Sequence, residues 1–231
     1  MSDILGDAIL DYYQHKRGSK LWVHDEHGPN LEMPVKTYFR TEKEMPAMEL
    51  KALALCKGSV LDIGAGAGSH ALALQEKGLD VTAMDISAKA VIVMKARGVR
   101  HAIEQDIFSF KPTQKFDTLL LLMNGIGLSG TLAGLRRFLK QAQSLLLPDG
   151  QLIFDSSDVA YLYEDEPFPM NHYYGEIKCC YEYKKHKSKW LTWLYIDQKM
   201  LYYEASGAGW KTEVLMEDNN NQYLARLTLK K

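Results

Sequence analysis

Cysteine is scarce in this chain. The 231 residues contain three, Cys56, Cys179 and Cys180, and no C-x-x-C pair. An odd set with that spacing supports neither a disulfide framework nor a zinc site, so no metal is expected. No stretch approaches the roughly 20 consecutive apolar residues of a membrane-spanning helix. The opening MSDILGDAILDYYQHK also lacks the basic and apolar regions of a secretion signal. Long runs of one charge are missing too. Lys+Arg 28 against Asp+Glu 29 gives a net charge of -1, without the clustered cations needed to neutralise many phosphates. The expectation is a cytoplasmic protein that avoids membranes and does not act on nucleic acid. With 46% hydrophobic and 25% charged residues, the composition is that of a globular chain and excludes disorder and collagen-like repeats. The length suits one elaborated domain that needs no covalent staples.

Helical periodicity of Ile4, Ala8, Ile9, Tyr12 and Tyr13 predicts an amphipathic helix over the first fifteen or so residues. Polar turn material follows around a short apolar run, Leu21 to Val23, and Gly28-Pro29-Asn30 stops any regular element. A second helix is expected from Met45 to Cys56, with Pro46 in its first turn. Residues 1–58 read as an amino-terminal helical cap. From Ser59 the pattern alternates: strand Val60–Ile63, helix Ser69–Lys77, strand Val81–Met84, helix Ser87–Arg97, strand His101–Glu104, strand Thr118–Met123, helix Thr131–Leu146, strand Gln151–Phe154. Pro148-Asp149-Gly150 is expected to end the long helix, whose Leu132, Leu135, Leu139, Ala142 and Leu146 form one stripe. Apolar strands alternating with helices predict an α/β, Rossmann-like, doubly wound sheet, mostly parallel, over residues 59–231.

The carboxy-terminal part departs from the alternation. Asp197 is a plausible N-cap for a helix to Ala205, and strands Thr212–Met216 and Gln222–Leu229 follow, joined only by Asp218 to Asn221. A connection that short makes an antiparallel hairpin. Residues 157–196 form an insertion. There Ile177, Cys179, Tyr181 and Tyr183 alternate with Glu176, Lys178, Cys180 and Glu182, so Lys184 to Lys189 is the expected turn and Trp190 to Ile196 the return strand. Nine of the 13 tyrosines lie between Tyr161 and Tyr203. They either pack the insertion onto the core or onto a second copy in a homodimer, or they line a substrate pocket.

The stretch VLDIGAGAGSH, Val60 to His70, carries the chemistry. A glycine-rich turn between strand and helix lets a ligand approach the backbone and meet free N–H groups. Gly64, Gly66 and Gly68 are not spaced as G-x-G-x-x-G, because the third position of that fingerprint holds Ser69. Asp62 lies inside the strand, two residues before the first glycine. A carboxylate there has little use beside a pyrophosphate but suits a ligand with an ammonium group, such as S-adenosylmethionine (SAM). Asp85 ends the next strand about 20 residues on, where an acid accepts hydrogen bonds from ribose hydroxyls. Asp106, after the third strand, is placed for an adenine amino group.

With those residues in view, the chain resembles the class I SAM-dependent methyltransferases from about Val60 to Leu229. VLDIGAGAG looks like the family's first motif, VTAMD its second, EQDIF its third, FDTLLLLMNGIG its fourth and LLLPDGQLIF the helix-turn-strand that follows. The lead-in TYFRTEKEMPAMELKAL is similar to a subset of uncharacterised small bacterial members. The resemblance implies SAM as cofactor (EC 2.1.1.-), with Asp62, Gly64, Ala65, Gly66 and Gly68 at its methionine end and Asp85 and Ile86 at the ribose. It implies Asp106 and Ile107 at the adenine, and Asn124 and Gly125 nearest the transferring methyl. MNGIG differs from the N-P-P-[YF] motif of amide and adenine N-methyltransferases, which makes those acceptors less expected than another small molecule.

Methyl transfer from a sulfonium needs alignment and exclusion of water more than a proton donor. A base is required only where the acceptor must lose a proton. Candidates for that role or for gripping the acceptor are Asn124, His70, Tyr38, Arg40, His172, Tyr173 and Tyr174. Each has an ordinary alternative: His70 opens a helix, Arg40 can form an ion pair, and the tyrosines can pack. Two other functions fit parts of the pattern: an NAD(P)-linked oxidoreductase, and a catalytically silent SAM-binding or dimerisation module.

Overall fold

The computed structural model describes residues 3–15 and 19–230. The first two residues of the expected amino-terminal helix, residues 16–18 after it, and residue 231 of the expected core lie outside the described residues. In chain order the elements are α1 (Ile4–His15), β1 (Leu21–Asp25), β2 (Leu31–Met33), α2 (Ala47–Leu55), β3 (Ser59–Ile63), α3 (Ser69–Glu76) and β4 (Asp80–Asp85). Then come α4 (Ala88–Ala96), β5 (His101–Glu104), β6 (Phe116–Leu121), α5 (Leu132–Leu145), β7 (Leu146–Ser157) and β8 (Glu176–Tyr183). The chain closes with β9 (His186–Lys187), β10 (Leu191–Leu194), α6 (Gln198–Gly207), β11 (Trp210–Glu217) and β12 (Gln222–Leu229). No helix among the described residues is long and apolar enough to cross a membrane.

Seven strands form the main sheet in the order β11-β12-β7-β6-β3-β4-β5. The five strands from β3 to β7 run parallel, and β12 and β11 are antiparallel additions. Helices cover both faces, which is why these strands read as apolar runs. Leu119 and Leu121 enter one core with Leu61, Phe138 and Phe154, while Leu120, between them, enters the other with Val60, Leu74 and Ile153. The first parallel strand, β3, lies between β4 and β6: the chain runs outward through β4 to β5 and then crosses back to β6 on the other side of β3. Its carboxyl end is the topological switch point, where open α/β sheets bind ligands.

Two local features differ from the sequence expectation. Pro46 is the N-cap of α2 and not part of its first turn. Pro148-Asp149-Gly150 does not separate helix from strand. The strand begins at Leu146, and this tripeptide is an irregularity within it, absorbed by the left-handed Asp149 (φ 61) and by a register shift against β6.

The second sheet has the order β10-β8-β1-β2, with β9 on β8. β1 pairs antiparallel with β8, Leu21 opposite Tyr183 and Val23 opposite Tyr181. The amino-terminal segment is therefore built of strands as well as helices, and it shares one sheet with the insertion. The expected turn at 184–189 is tighter than its length suggested. Tyr183 pairs with His186, and Lys184 and Lys185 (φ 49 and 68) make a two-residue turn in the left-handed region. Tyr183 anchors the sheet to α1 by donating its hydroxyl to Asp11 Oδ2 at 2.5 Å. Helix α1 in turn lies on α4, where Lys89 Nζ meets Asp7 Oδ1 at 2.5 Å and Ser87 Oγ donates to Asp3 Oδ2 at 2.6 Å.

Candidate functional site

The chain leaves β3 through three left-handed glycines, Gly64, Gly66 and Gly68, at φ 73, 57 and 81. A side chain at any of them would be strained. The loop is tied to β4. Gly64 and Ala65 donate their N–H groups to the Met84 carbonyl at 2.9 Å each, and Gly66 donates to Asp85 Oδ2 at 2.9 Å. Asp85 Oδ1 accepts from Ser87 N at 2.8 Å, and the Ile86 N–H also bonds this carboxylate, which therefore braces the loop. Its burial pushes its pKa up. Beside it Ile86 is 74% exposed, an apolar side chain at the carboxyl end of a central strand with nothing packed over it. Asp106 is exposed and accepts from Phe108 N at 2.9 Å, whereas the Ile107 side chain is buried in the main core.

Asp62 is the unusual group. It is 1% exposed, and its Oδ2 has no hydrogen-bond partner. Burial pushes its pKa up to about 6, against the field of His70 that favours the carboxylate. A buried acceptor left open calls for a partner, and a cationic amine fits it in charge and donor capacity. The methionine end of SAM carries such an amine.

His70 and Arg40, both considered for catalysis, converge on one residue that the sequence reading missed. Glu49 of α2, buried, accepts from Arg40 Nη2 at 2.5 Å through Oε1 and contacts His70 Nε2 at 2.9 Å through Oε2. These neighbours outweigh its burial and hold the Glu49 pKa below its ordinary value; Glu49 and Asp62 in turn raise that of His70. An acid on the buried face of α2, beside Met48, Ala52 and Leu53, was the available signal. Tyr38 lies over the glycine loop: Ser69 Oγ donates to its carbonyl at 2.7 Å, and its ring stands 3.0 Å from where a Gly66 Cβ would be. Its hydroxyl donates to Met33 Sδ, and burial pushes its pKa up, so it remains a neutral phenol.

At the carboxyl end of β6, Met123 and Asn124 are both left-handed (φ 63 and 54), which costs roughly 1–3 kcal/mol per non-glycine residue. Asp155 of β7 holds this bend by accepting the Asn124 N–H at 3.0 Å. Gln222 donates to the same carboxylate at 2.7 Å, and burial pushes the Asp155 pKa up to about 6. Asp155 was missed as well, although, like Asp62, it is an acid interrupting an apolar strand. The Asn124 side chain accepts from Ser157 Oγ at 3.1 Å, and Gly125 opens a short 3-10 turn, Gly125–Ser129. The second sheet reaches this bend through Trp193, whose Nε1 donates to the Asn124 carbonyl at 3.1 Å while the indole covers Gly127. It also reaches β7, where Ile196 N donates to Ser156 Oγ at 3.0 Å.

The remaining candidates lie to one side of this edge. Tyr173 donates to Asp197 Oδ2 at 2.6 Å and accepts from Asp197 N, fixing the cap of α6. Tyr174 donates to Asp158 Oδ1 at 2.8 Å. Both line a cleft of about 810 Å³ with Lys199, Met200 and Gln222. His172 is exposed and contacts its neighbour Asn171.

Known proteins share this fold. A family model described as "Methyltransferase domain" matches residues 60–150. No curated protein is significantly similar. Among solved structures, a SAM-dependent methyltransferase from Bacteroides fragilis, in complex with S-adenosyl-L-homocysteine, is 43% identical with a TM-score of 0.92, covering 99% of this chain and 95% of that one. The sugar N-methyltransferase KedS8 from Streptoalloteichus is similar in fold, with 15% identity and a TM-score of 0.62, covering 88% of this chain and 95% of that one. A S-adenosylmethionine-dependent methyltransferase from Clostridium acetobutylicum matches with 13% identity and a TM-score of 0.62 over 82% of this chain and 94% of that one. Neither the nicotinamide-linked oxidoreductase nor the silent module is favoured by these likenesses. With 43% identity along nearly the whole of both chains, this protein belongs to the class I SAM-dependent methyltransferases.

Proposed function

We propose that this chain methylates a small-molecule acceptor enclosed between the carboxyl edge of the main sheet and the second sheet. The observation that carries the reading is the clamp of Trp193 on the Asn124 carbonyl. It joins the second sheet to the bend at the end of β6, an arrangement that supports a small-molecule acceptor over a polymer at this edge. Asp62, Gly64, Ala65, Gly66 and Gly68 would hold the methionine end of the cofactor, Asp85 and Ile86 the ribose, Asp106 and Ile107 the adenine, and Asn124 and Gly125 the region of the methyl. When bound, SAM supplies an activated methyl group on a sulfonium.

The protein's own contribution is placement and dryness. Asp155 and Trp193 fix the backbone at Asn124, so the polar groups facing the acceptor are oriented before it arrives. Tyr38 and Tyr181, whose burial raises their pKa values, stay protonated at neutral pH, and the Tyr38 O–H is held by Met33 Sδ. Both come from segments that pack against the glycine loop or form the second sheet, so they exclude water from the reacting centre.

The free thiols Cys56, Cys179 and Cys180 are in keeping with a cytoplasmic location. The insertion exposes Phe168, Met170 and Trp190, and a homodimer through it would appear as twice the chain mass in sedimentation equilibrium. The acceptor is tested by mass spectrometry after incubation of SAM-loaded protein with small amines, phenols and hydroxy compounds, beside a denatured protein digest and nucleic acid. A 14 Da gain is expected on a small compound; a gain confined to the polymers contradicts the reading.

A further inference from the structure

The cleft of about 810 Å³ has the volume of a small-molecule site, and none of the residues assigned to the cofactor lines it. It lies where β7 ends, between the first turn of α6 and the turn joining β11 to β12, so Asp158, Asp197, Glu217, Asp218 and Gln222 border one space. One wall is aromatic and fixed. Tyr173 and Tyr174 have ring centroids 4.6 Å apart, and Tyr174 stacks on Phe168 at 4.7 Å. Tyr163 meets both Tyr174 and Phe168 edge-on, and its hydroxyl donates to the Tyr174 carbonyl at 3.1 Å. The Tyr173 hydroxyl donates to Asp197 and that of Tyr174 to Asp158. Burial and these carboxylates keep both phenols protonated, so the two rings are neutral and held in place.

Charge decides what this space can take. Its lining holds four carboxylates, Asp158, Asp197, Glu217 and Asp218, against one cation, Lys199. Asp197 is engaged by the cap of α6 and by Tyr173. The other three keep acceptor capacity. Asp158 takes its bonds from Ala160 N and Tyr174 through Oδ1 alone, and Asp218 takes its bonds from Asn220 N and Gln222 N through Oδ1 alone. The exposed Glu217 side chain has no hydrogen bond or ion pair among the described residues. These acids come from separate segments, and among the described residues no three His, Cys, Asp or Glu side chains are grouped to hold a metal ion. Negative charge spread around a space of this size suits an organic ammonium with an apolar body: carboxylates accept from the ammonium, and tyrosine rings take the body and part of the charge. The cleft is also joined to the reacting edge. Gln222 donates to Asp155 at 2.7 Å, Asp155 accepts the Asn124 N–H, and Ser157, next to Asp158, donates to Asn124 Oδ1 at 3.1 Å. We propose that this cleft anchors the methyl acceptor by an ammonium group, so that the substrate is an amine-bearing small molecule and Asp158 and Glu217 determine specificity. The proposal rests on the small-molecule reading given above. The held nitrogen is an anchor and not the nucleophile, because its lone pair carries a proton.

The test is calorimetric titration of the S-adenosylhomocysteine-saturated protein with three probes of one shape. Tyramine is a cation at neutral pH, tyrosol has a neutral hydroxyl in place of the amine, and 4-hydroxyphenylacetate is an anion. Tyramine is expected to bind at least fivefold more tightly than tyrosol, and 4-hydroxyphenylacetate more weakly than either. Glu217→Gln changes an exposed side chain without partners; it should weaken tyramine at least threefold and leave tyrosol and S-adenosylhomocysteine within twofold. Asp158→Asn should weaken tyramine to a similar extent, and the Glu217 variant keeps the test decisive if the altered bond to Tyr174 disturbs the loop. Equal affinity for the three probes, binding of none of them, or a tyramine preference unchanged in both variants overturns the proposal and leaves the small-molecule reading standing. That reading fails separately, on a mass gain confined to polymers, which would remove the cleft's role as acceptor anchor whatever tyramine does.

Discussion

Asp62→Asn should make the ligand-free protein more stable at neutral pH and a worse binder of its cofactor. Asp62 is buried at 1% exposure with Oδ2 open, and its pKa stands at about 6 against the ordinary 3.8. A rise of about two units corresponds to roughly 3 kcal/mol at about 1.36 kcal/mol per unit. The folded state holds this proton more tightly than the unfolded chain. That stabilisation is fully present below about pH 4 and is lost as pH rises through about 6. At pH 7.5 the ligand-free fold therefore carries an ionised buried carboxylate at a cost of about 3 kcal/mol. Asparagine removes the charge but buries an amide without a partner, at about 1 kcal/mol. The net expectation is a gain of about 2 kcal/mol at pH 7.5, turning into a loss of about 1 kcal/mol at pH 4. Asp155, also raised to about 6, adds a slope of the same sign that the variant retains. Urea unfolding of both proteins at several pH values measures the difference, and S-adenosylhomocysteine binding should weaken at least tenfold in the variant. A variant equally destabilised at pH 4 and 7.5 would refute the reasoning, because Asp62 would then be a structural acceptor and not a charge held ready for an amine.

Gly66→Ala places a Cβ at φ 57 and 3.0 Å from the Tyr38 ring; urea unfolding should show a loss of about 1–2 kcal/mol, with weaker S-adenosylhomocysteine binding, and unchanged affinity would contradict the loop's role. Trp193→Phe deletes the bond to the Asn124 carbonyl, and amide exchange over residues 125–130 should quicken several-fold while S-adenosylhomocysteine affinity stays within threefold. Exchange as slow as in the unaltered protein would show that the clamp is not what holds that bend.

The parallel core was legible because its inner strands β3, β6 and β7 are largely buried on both faces and short turns lead into the helices, so local pattern and tertiary role agree. Asp197 reads as a cap from the sequence and caps α6 through Lys199 N and Met200 N. The second sheet was not legible as a unit. Leu21–Asp25 pairs with Cys179–Tyr183 across more than 150 residues, and no local period reports a partner that distant. The turn at Lys184-Lys185 lacks the glycine or asparagine that usually marks left-handed backbone. At the site, the glycines and Asp85 stood out because their spacing has a mechanical meaning. Glu49 and Asp155 act through partners supplied by other elements, Arg40 and His70 for the one and Asn124 and Gln222 for the other. Their importance lies in contacts that a linear pattern does not contain.

The central claim is that the carboxyl ends of β3 to β5 hold S-adenosylmethionine, with Asp85 bracing the glycine loop and facing the ribose. Calorimetric titration of S-adenosylhomocysteine into the unaltered protein and into Asp85→Ala tests it most directly. One site per chain with micromolar affinity is predicted, weakened at least thirtyfold in the variant. Absence of binding to the unaltered protein, or equal affinity in the two, would contradict the account.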